Sequence, residues 1–136
     1  MTKIIPDTKY FHYYNANSHN HKCGDCTIRA ISTILNQTWE KTFDELIPLC
    51  RKYGRLPNDP NIIDKYLKIN GFIKQKEPRD FNNKKIRLKN WLEDNPNFNA
   101  VAYLGSSHIA AIINGRVFDI WNSSNEILHT YYIKGN

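Results

Sequence analysis

Apolar positions recur along this chain with two different periods, and the change of period divides it into two parts. Between residues 26 and 36, Ala30, Ile31, Ile34 and Leu35 fall on one side of a 3.6-residue helix. A second helix is predicted between about Thr38 and Tyr53, where Thr42 and Glu45 have the spacing of a capping box and Pro48 interrupts the interior. The third is the best marked. Asp59 is a suitable N-cap, Pro60 suits the first helical position, Ile62, Ile63, Tyr66 and Leu67 make a buried stripe, and Gly71 ends it. A fourth is expected near Lys85 to Glu93, with Ile86, Leu88, Trp91 and Leu92 apolar. The first 22 residues carry no period, and Asn15 to Asn20 reads as a polar loop.

After Pro96 the pattern changes to strands, with candidates Phe98 to Leu104, His108 to Ile113, Arg116 to Trp121 and Ile127 to Ile133. Asn114-Gly115 between two apolar runs is a strong short hairpin signal. Helices followed by strands predict one α+β domain over residues 1–136, with N-terminal helices packed on a C-terminal antiparallel sheet.

Composition narrows the class. With 40% hydrophobic and 12% aromatic residues, the chain can bury a core and is not a disordered sequence. The longest apolar stretches, such as Ile109 to Ile113, are strand-sized, so no membrane segment is expected. Met1 to Tyr14 has no apolar core of signal-peptide length, and three cysteines do not suggest a disulfide framework. The expected compartment is the cytoplasm, with free thiols. A net charge of +6 makes an anionic partner possible without requiring one.

Two local features carry chemistry. Cys26 opens a predicted helix, where the positive end of the helix dipole lowers a thiol's pKa and favours the nucleophilic thiolate. Equally, a cysteine at such a position is a small buried apolar residue. The second feature is the hairpin. If Asn114 and Gly115 form a type I′ turn, Ile113 pairs with Arg116, Ala110 with Asp119 and His108 with Trp121. His108, Ala110, Asp119 and Trp121 then share a face, with Asp119 a diagonal neighbour able to orient the imidazole. A one-residue register shift would bring Asn122 to that role instead.

The segment Asn20-His-Lys-Cys23-Gly24-Asp25-Cys26 resembles the Gln-x-x-Cys-Gly-Ser-Cys signature of the papain-like cysteine peptidases. Asp119-Ile120-Trp121 is similar to that superfamily's Asn-Ser-Trp, Asp in the first position being the variant of the bacteriocin-processing C39-like branch, and the Gly-Asp-Cys helix start with a late His…Asp hairpin resembles the layout of small phage and bacterial proteins. The resemblance implies a papain-like fold, with Cys26 as nucleophile, His108 as base and Asp119 as orienting group. It also implies Asn20 as side-chain donor to the oxyanion hole and Trp121 as a shield over the His–Asp contact. It covers about seven residues around Cys26 and fourteen around His108; Asn20 stands where the family has Gln, and Thr27 where it has an aromatic. The implied activity is hydrolysis of a peptide or isopeptide bond through a thioester, with a protein or peptide substrate and no cofactor or metal. Deamidation and acyl transfer use the same group.

Other readings weigh against it. Cys23-x-x-Cys26 with His19 and His21 nearby offers one pair of zinc ligands and a crowded loop, where a structural site normally takes two pairs. Lys74, Lys76, Arg79, Lys84, Lys85, Arg87 and Lys89, with Phe81 among them, could meet nucleic-acid phosphates or an anionic protein, or form a solvated surface. A non-enzymatic binding protein on a papain-like scaffold is therefore the rival class. Asp25 is expected to cap the Cys26 helix, and His12, His19, His21 and His129 show no partner pattern. The sequence does not fix an oligomeric state.

Overall fold

Helix ends are set by local chemistry. In the computed structural model, which describes residues 5–135, α1 (Cys26–Leu35) ends at Asn36 in the left-handed region. α2 (Trp39–Tyr53) is capped by Thr38, whose hydroxyl accepts from the Lys41 N–H at 3.1 Å. Thr42 is therefore not the cap that its spacing to Glu45 predicted. It is buried one turn into α2, donating to the Thr38 carbonyl and accepting from Ser32 and Gln37. α2 runs through Pro48, whose ring removes only one N–H from the ladder. α3 (Pro60–Ile69) starts as the sequence predicts: Asp59 accepts from the Asn61 N–H at 2.8 Å, and Pro60 occupies the first turn.

Among the described residues six strands form one sheet: β1 (Phe11–Tyr13), β2 (Phe72–Gln75), β3 (Ala100–Leu104), β4 (His108–Ile113), β5 (Arg116–Asp119) and β6 (Leu128–Lys134). Their order is β1-β5-β4-β3-β6-β2. The class is α+β, but the sheet is mixed rather than antiparallel, because β1 pairs in parallel with β5. It is also not confined to the C-terminal part. β1 lies in the segment expected to be irregular, and β2 directly follows α3. Each is too short for a period of two to show: only Phe11 in β1 and only Phe72 in β2 are buried. Their pairing partners, not their own pattern, make them strands.

The hairpin follows expectation. Asn114 and Gly115 have φ of 49° and 75°, both positive as a type I′ turn requires, and Ile113 pairs with Arg116. Gly115 is also fixed by space, since a Cβ there would stand 2.3 Å from the Pro96 carbonyl oxygen. β5 stops at Asp119 instead of reaching Trp121, because the Asp119 carboxylate accepts from the Ile120 N–H and the Ser123 hydroxyl and turns the chain out of the ladder.

The sheet buries both faces. Ile109 and Ala111 of β4 pack with Ile31, Leu46, Ile62 and Leu67 of α1, α2 and α3. Ala110 and Ile112 pack on the other side with Phe11, Val117, and Leu88 and Leu92 of α4 (Leu88–Asp94). No helix among the described residues is long and apolar enough to cross a membrane.

Candidate active site

Cys26 is the first residue of α1 and His108 the first residue of β4, and the fold brings these two element ends together. By strand alternation His108 belongs with Ala110 and Ile112, on the sheet face away from α1. His108 is nonetheless near enough to Cys26 for each to act on the other's titration, the imidazole lowering the thiol and the sulfur raising the imidazole.

The imidazole is held from its other side. His108 Nε2 lies 2.5 Å from Asp119 Oδ2, leaving Nδ1 as the ring atom free for the thiol. Asp119 is 1% exposed. Its Oδ2 also accepts from the Ser123 hydroxyl at 2.9 Å, and its Oδ1 accepts from the Ile120 N–H at 2.8 Å and from the Arg29 guanidinium at 3.1 Å. Four partners fix the carboxylate, which in turn fixes the ring. Trp121 covers the assembly, its ring centroid 4.8 Å from that of His108.

Arg29 extends the network inward. On α1, one turn beyond Asp25, it donates to Asp25 Oδ1 at 2.8 Å as well as to Asp119. Asp25 is buried and makes no side-chain cap bond to α1, contrary to expectation. Its Oδ2 accepts instead from Trp39 Nε1 at 2.9 Å and Asn17 Nδ2 at 3.1 Å. Burial raises the Asp25 carboxyl, but Arg29, Asn17 and Trp39 outweigh it and hold the group below the usual carboxylate range.

The same competition acts on Cys26 and His108. Burial pushes the Cys26 thiol up, yet the imidazole, a backbone hydrogen bond from Ile109 and the Arg29 charge bring it below its ordinary value. Burial opposes protonation of His108, yet the Asp119 hydrogen bond and charge, with the sulfur, push it up to about 9. The other thiols move the opposite way: burial raises Cys23, with the Asp25 charge adding to it, and burial raises Cys50. Cys26 is the one cysteine of the three whose surroundings favour thiolate.

Not every expected residue joins. Asn20 is exposed, in the left-handed region with φ of 57°, and its Oδ1 faces Asn15 Nδ2 at 3.5 Å; it does not line the groove that holds Cys26. Asn122 accepts from the N–H and hydroxyl of Ser124 and takes no part in orienting the ring. Among the described residues no group of three or more His, Cys, Asp or Glu is placed to hold a metal, and His19 and His21 stack on each other in the exposed loop. His12 and His129 do have carboxylate partners, Asp7 and Glu77. In the basic segment Arg79 pairs with Glu77 and Arg87 donates to the Asn125 carbonyl, while Phe81 is 98% exposed.

Sequence reasoning missed Arg29, Ser123 and Asn17. The available signal for Arg29 was a charged residue amid Ile28, Ala30 and Ile31, four positions after Asp25. A surface hollow of about 750 Å³ between Tyr14, Gln37, Trp39 and Phe118 contains neither Cys26 nor His108. A groove of about 460 Å³ does open on Cys26. No family model matches the chain, and no curated protein or solved structure matches it either.

Proposed function

We propose that this protein is a cysteine-dependent hydrolase of papain-like type, cleaving a peptide, isopeptide or related amide bond. The observation that carries the reading is the arrangement at one end of the sheet: a thiol on a helix N-terminus, an imidazole near enough to lower it, and a buried carboxylate 2.5 Å from one ring nitrogen of that imidazole. Each member has a chemical task. At neutral pH the depressed thiol and the elevated imidazole favour a thiolate–imidazolium pair. The thiolate attacks the carbonyl carbon, and the His108 proton passes to the leaving amine. Water then adds to the thioester with the neutral imidazole as base, releasing the acid and restoring Cys26. The first N–H groups of α1, that of Cys26 among them, have no partner within the helix and offer donors to the oxyanion; one such donor contributes about 10²–10³-fold in turnover. Asn20, turned toward Asn15, is not part of this donor set.

Alkylation with iodoacetamide across pH tests the reading. Cys26 reacts near neutral pH ahead of Cys23 and Cys50, and His108→Ala moves its reactivity to the pH of an ordinary thiol. Equal reactivity of the three cysteines overturns the proposal and favours a binding protein that uses the scaffold without the chemistry.

A further inference from the structure

Two grooves flank the thiol–imidazole pair and share a wall of Pro60, Tyr103, Ser106 and Ser107. One, of about 350 Å³, holds His108 together with Lys74, His129 and Thr130. The other, of about 460 Å³, holds Cys26 with Thr27, Asn58, Ile63 and Ile109. Apart from the thiol, the Tyr103 phenol is the one ionisable group among the described residues that lines the Cys26 groove.

That groove contains two hydroxyls in an unusual state. Thr27 Oγ1 and the Tyr103 hydroxyl are buried and have no hydrogen-bond partner among the described residues. Thr27 is 1% exposed and follows the nucleophile directly. Leaving a buried hydroxyl unpaired costs about 1–3 kcal/mol, whereas valine and phenylalanine would occupy the same spaces without that penalty. Two orphaned donor–acceptor groups on residues that line the groove of Cys26 indicate a polar ligand group that completes them.

The chemistry of amide cleavage assigns the sides. The imidazolium delivers its proton to the departing nitrogen, so the leaving part of the substrate lies along the groove that holds His108. The acyl part then lies along the groove that holds Cys26. We infer that the Cys26 groove is the acyl-side subsite and takes an uncharged polar side chain, a carboxamide of the Asn or Gln kind. This rests on the hydrolase reading above. A carboxamide supplies an acceptor for one hydroxyl and donors for the other. A carboxylate or an ammonium group would leave water for a groove that no counter-charge lines among the described residues.

The test uses acetyl-Xaa chloromethyl ketones with Xaa as Gln, Asn, Leu, Glu or Lys. The thiolate displaces chloride: a C–S bond forms, the C–Cl bond breaks, and chloride leaves. Rates are read by intact mass, and the modified residue by peptide mapping. Gln and Asn probes modify Cys26 about tenfold faster than the Glu, Lys and Leu probes, the worth of one to two hydrogen bonds. Thr27→Val and Tyr103→Phe each narrow the Gln-over-Leu ratio by about three- to tenfold, and Thr27→Ser keeps it. The wild-type series decides alone should a variant fail to fold. Leu, Glu or Lys probes as fast as Gln, with Cys26 still ahead of the other thiols toward iodoacetamide, overturn the subsite and leave the hydrolase reading standing. Cys26 no more reactive than Cys23 and Cys50 overturns both.

Discussion

Replacing Arg29 with methionine removes the cation shared by two buried carboxylates. Arg29 lies 2.8 Å from Asp25 and 3.1 Å from Asp119, and all three side chains are buried. Methionine keeps the bulk but leaves both carboxylates without their counter-charge. Removing one member of a buried ion pair destabilises by about 3–5 kcal/mol. Arg29 serves two partners but sheds its own desolvation penalty when deleted, so that range applies to the whole change. For a domain of this size the loss corresponds to a Tm lower by about 10–20 °C. The pH dependence distinguishes this cause from simple loss of packing. In the wild type Asp25 is held below its ordinary value, so its contribution is present above the unfolded value and lost as pH falls through the folded one. In Arg29→Met burial is opposed only by the Asn17 and Trp39 hydrogen bonds, so the carboxyl rises from its lowered position and protonation relieves part of the strain. The deficit is therefore largest at pH 7 and shrinks toward pH 4. Circular-dichroism melts of both proteins at the two pH values measure it. A deficit below about 1 kcal/mol, or one equal at both pH values, refutes the electrostatic account.

Three further outcomes are expected. Asp119→Asn keeps a hydrogen bond to His108 but removes the charge, so the ring titrates well below its wild-type value of about 9, moving toward 6.5; an NMR titration that leaves it near 9 contradicts the role given to Asp119. Gly115→Ala places a methyl group against the Pro96 carbonyl at a φ of +75° and destabilises by about 1–3 kcal/mol in urea unfolding; an unchanged midpoint refutes the turn geometry. Trp39→Phe deletes the indole bond to Asp25 and destabilises by about 1 kcal/mol, with Cys26 alkylation at neutral pH retained.

Legibility in the sequence followed the length scale of each interaction. α3 was readable because its cap, its proline and its stripe of Ile62, Ile63, Tyr66 and Leu67 are all local. The Asn114-Gly115 turn was readable because two positive φ values call for those residues, and the turn carried the His108–Asp119 pairing with it. β1 and β2 were not readable, since a three- or four-residue strand with one buried side chain gains its identity from partners far along the chain. The same holds for the support of the site. Arg29 and Asp119 are 90 positions apart, and nothing near either residue states that they meet. Asn20 misled for the opposite reason: its spacing from Cys26 fits, but its backbone enters the left-handed region and its side chain faces Asn15.

The parallel pairing of β1 with β5 bears on when Cys26 and His108 can meet. Tyr14 N–H donates to the Asp119 carbonyl, and the Arg116 guanidinium reaches back to the carbonyls of Thr8 and Phe11. Strands so far apart in sequence can join only late in folding, because closing so long a loop must precede any reward from contact. A growing chain exposes Cys26 about eighty residues before His108 is made. Until then the sulfur has no imidazole beside it, so the pairing that the proposed chemistry needs is a property of the finished sheet and not of the growing chain.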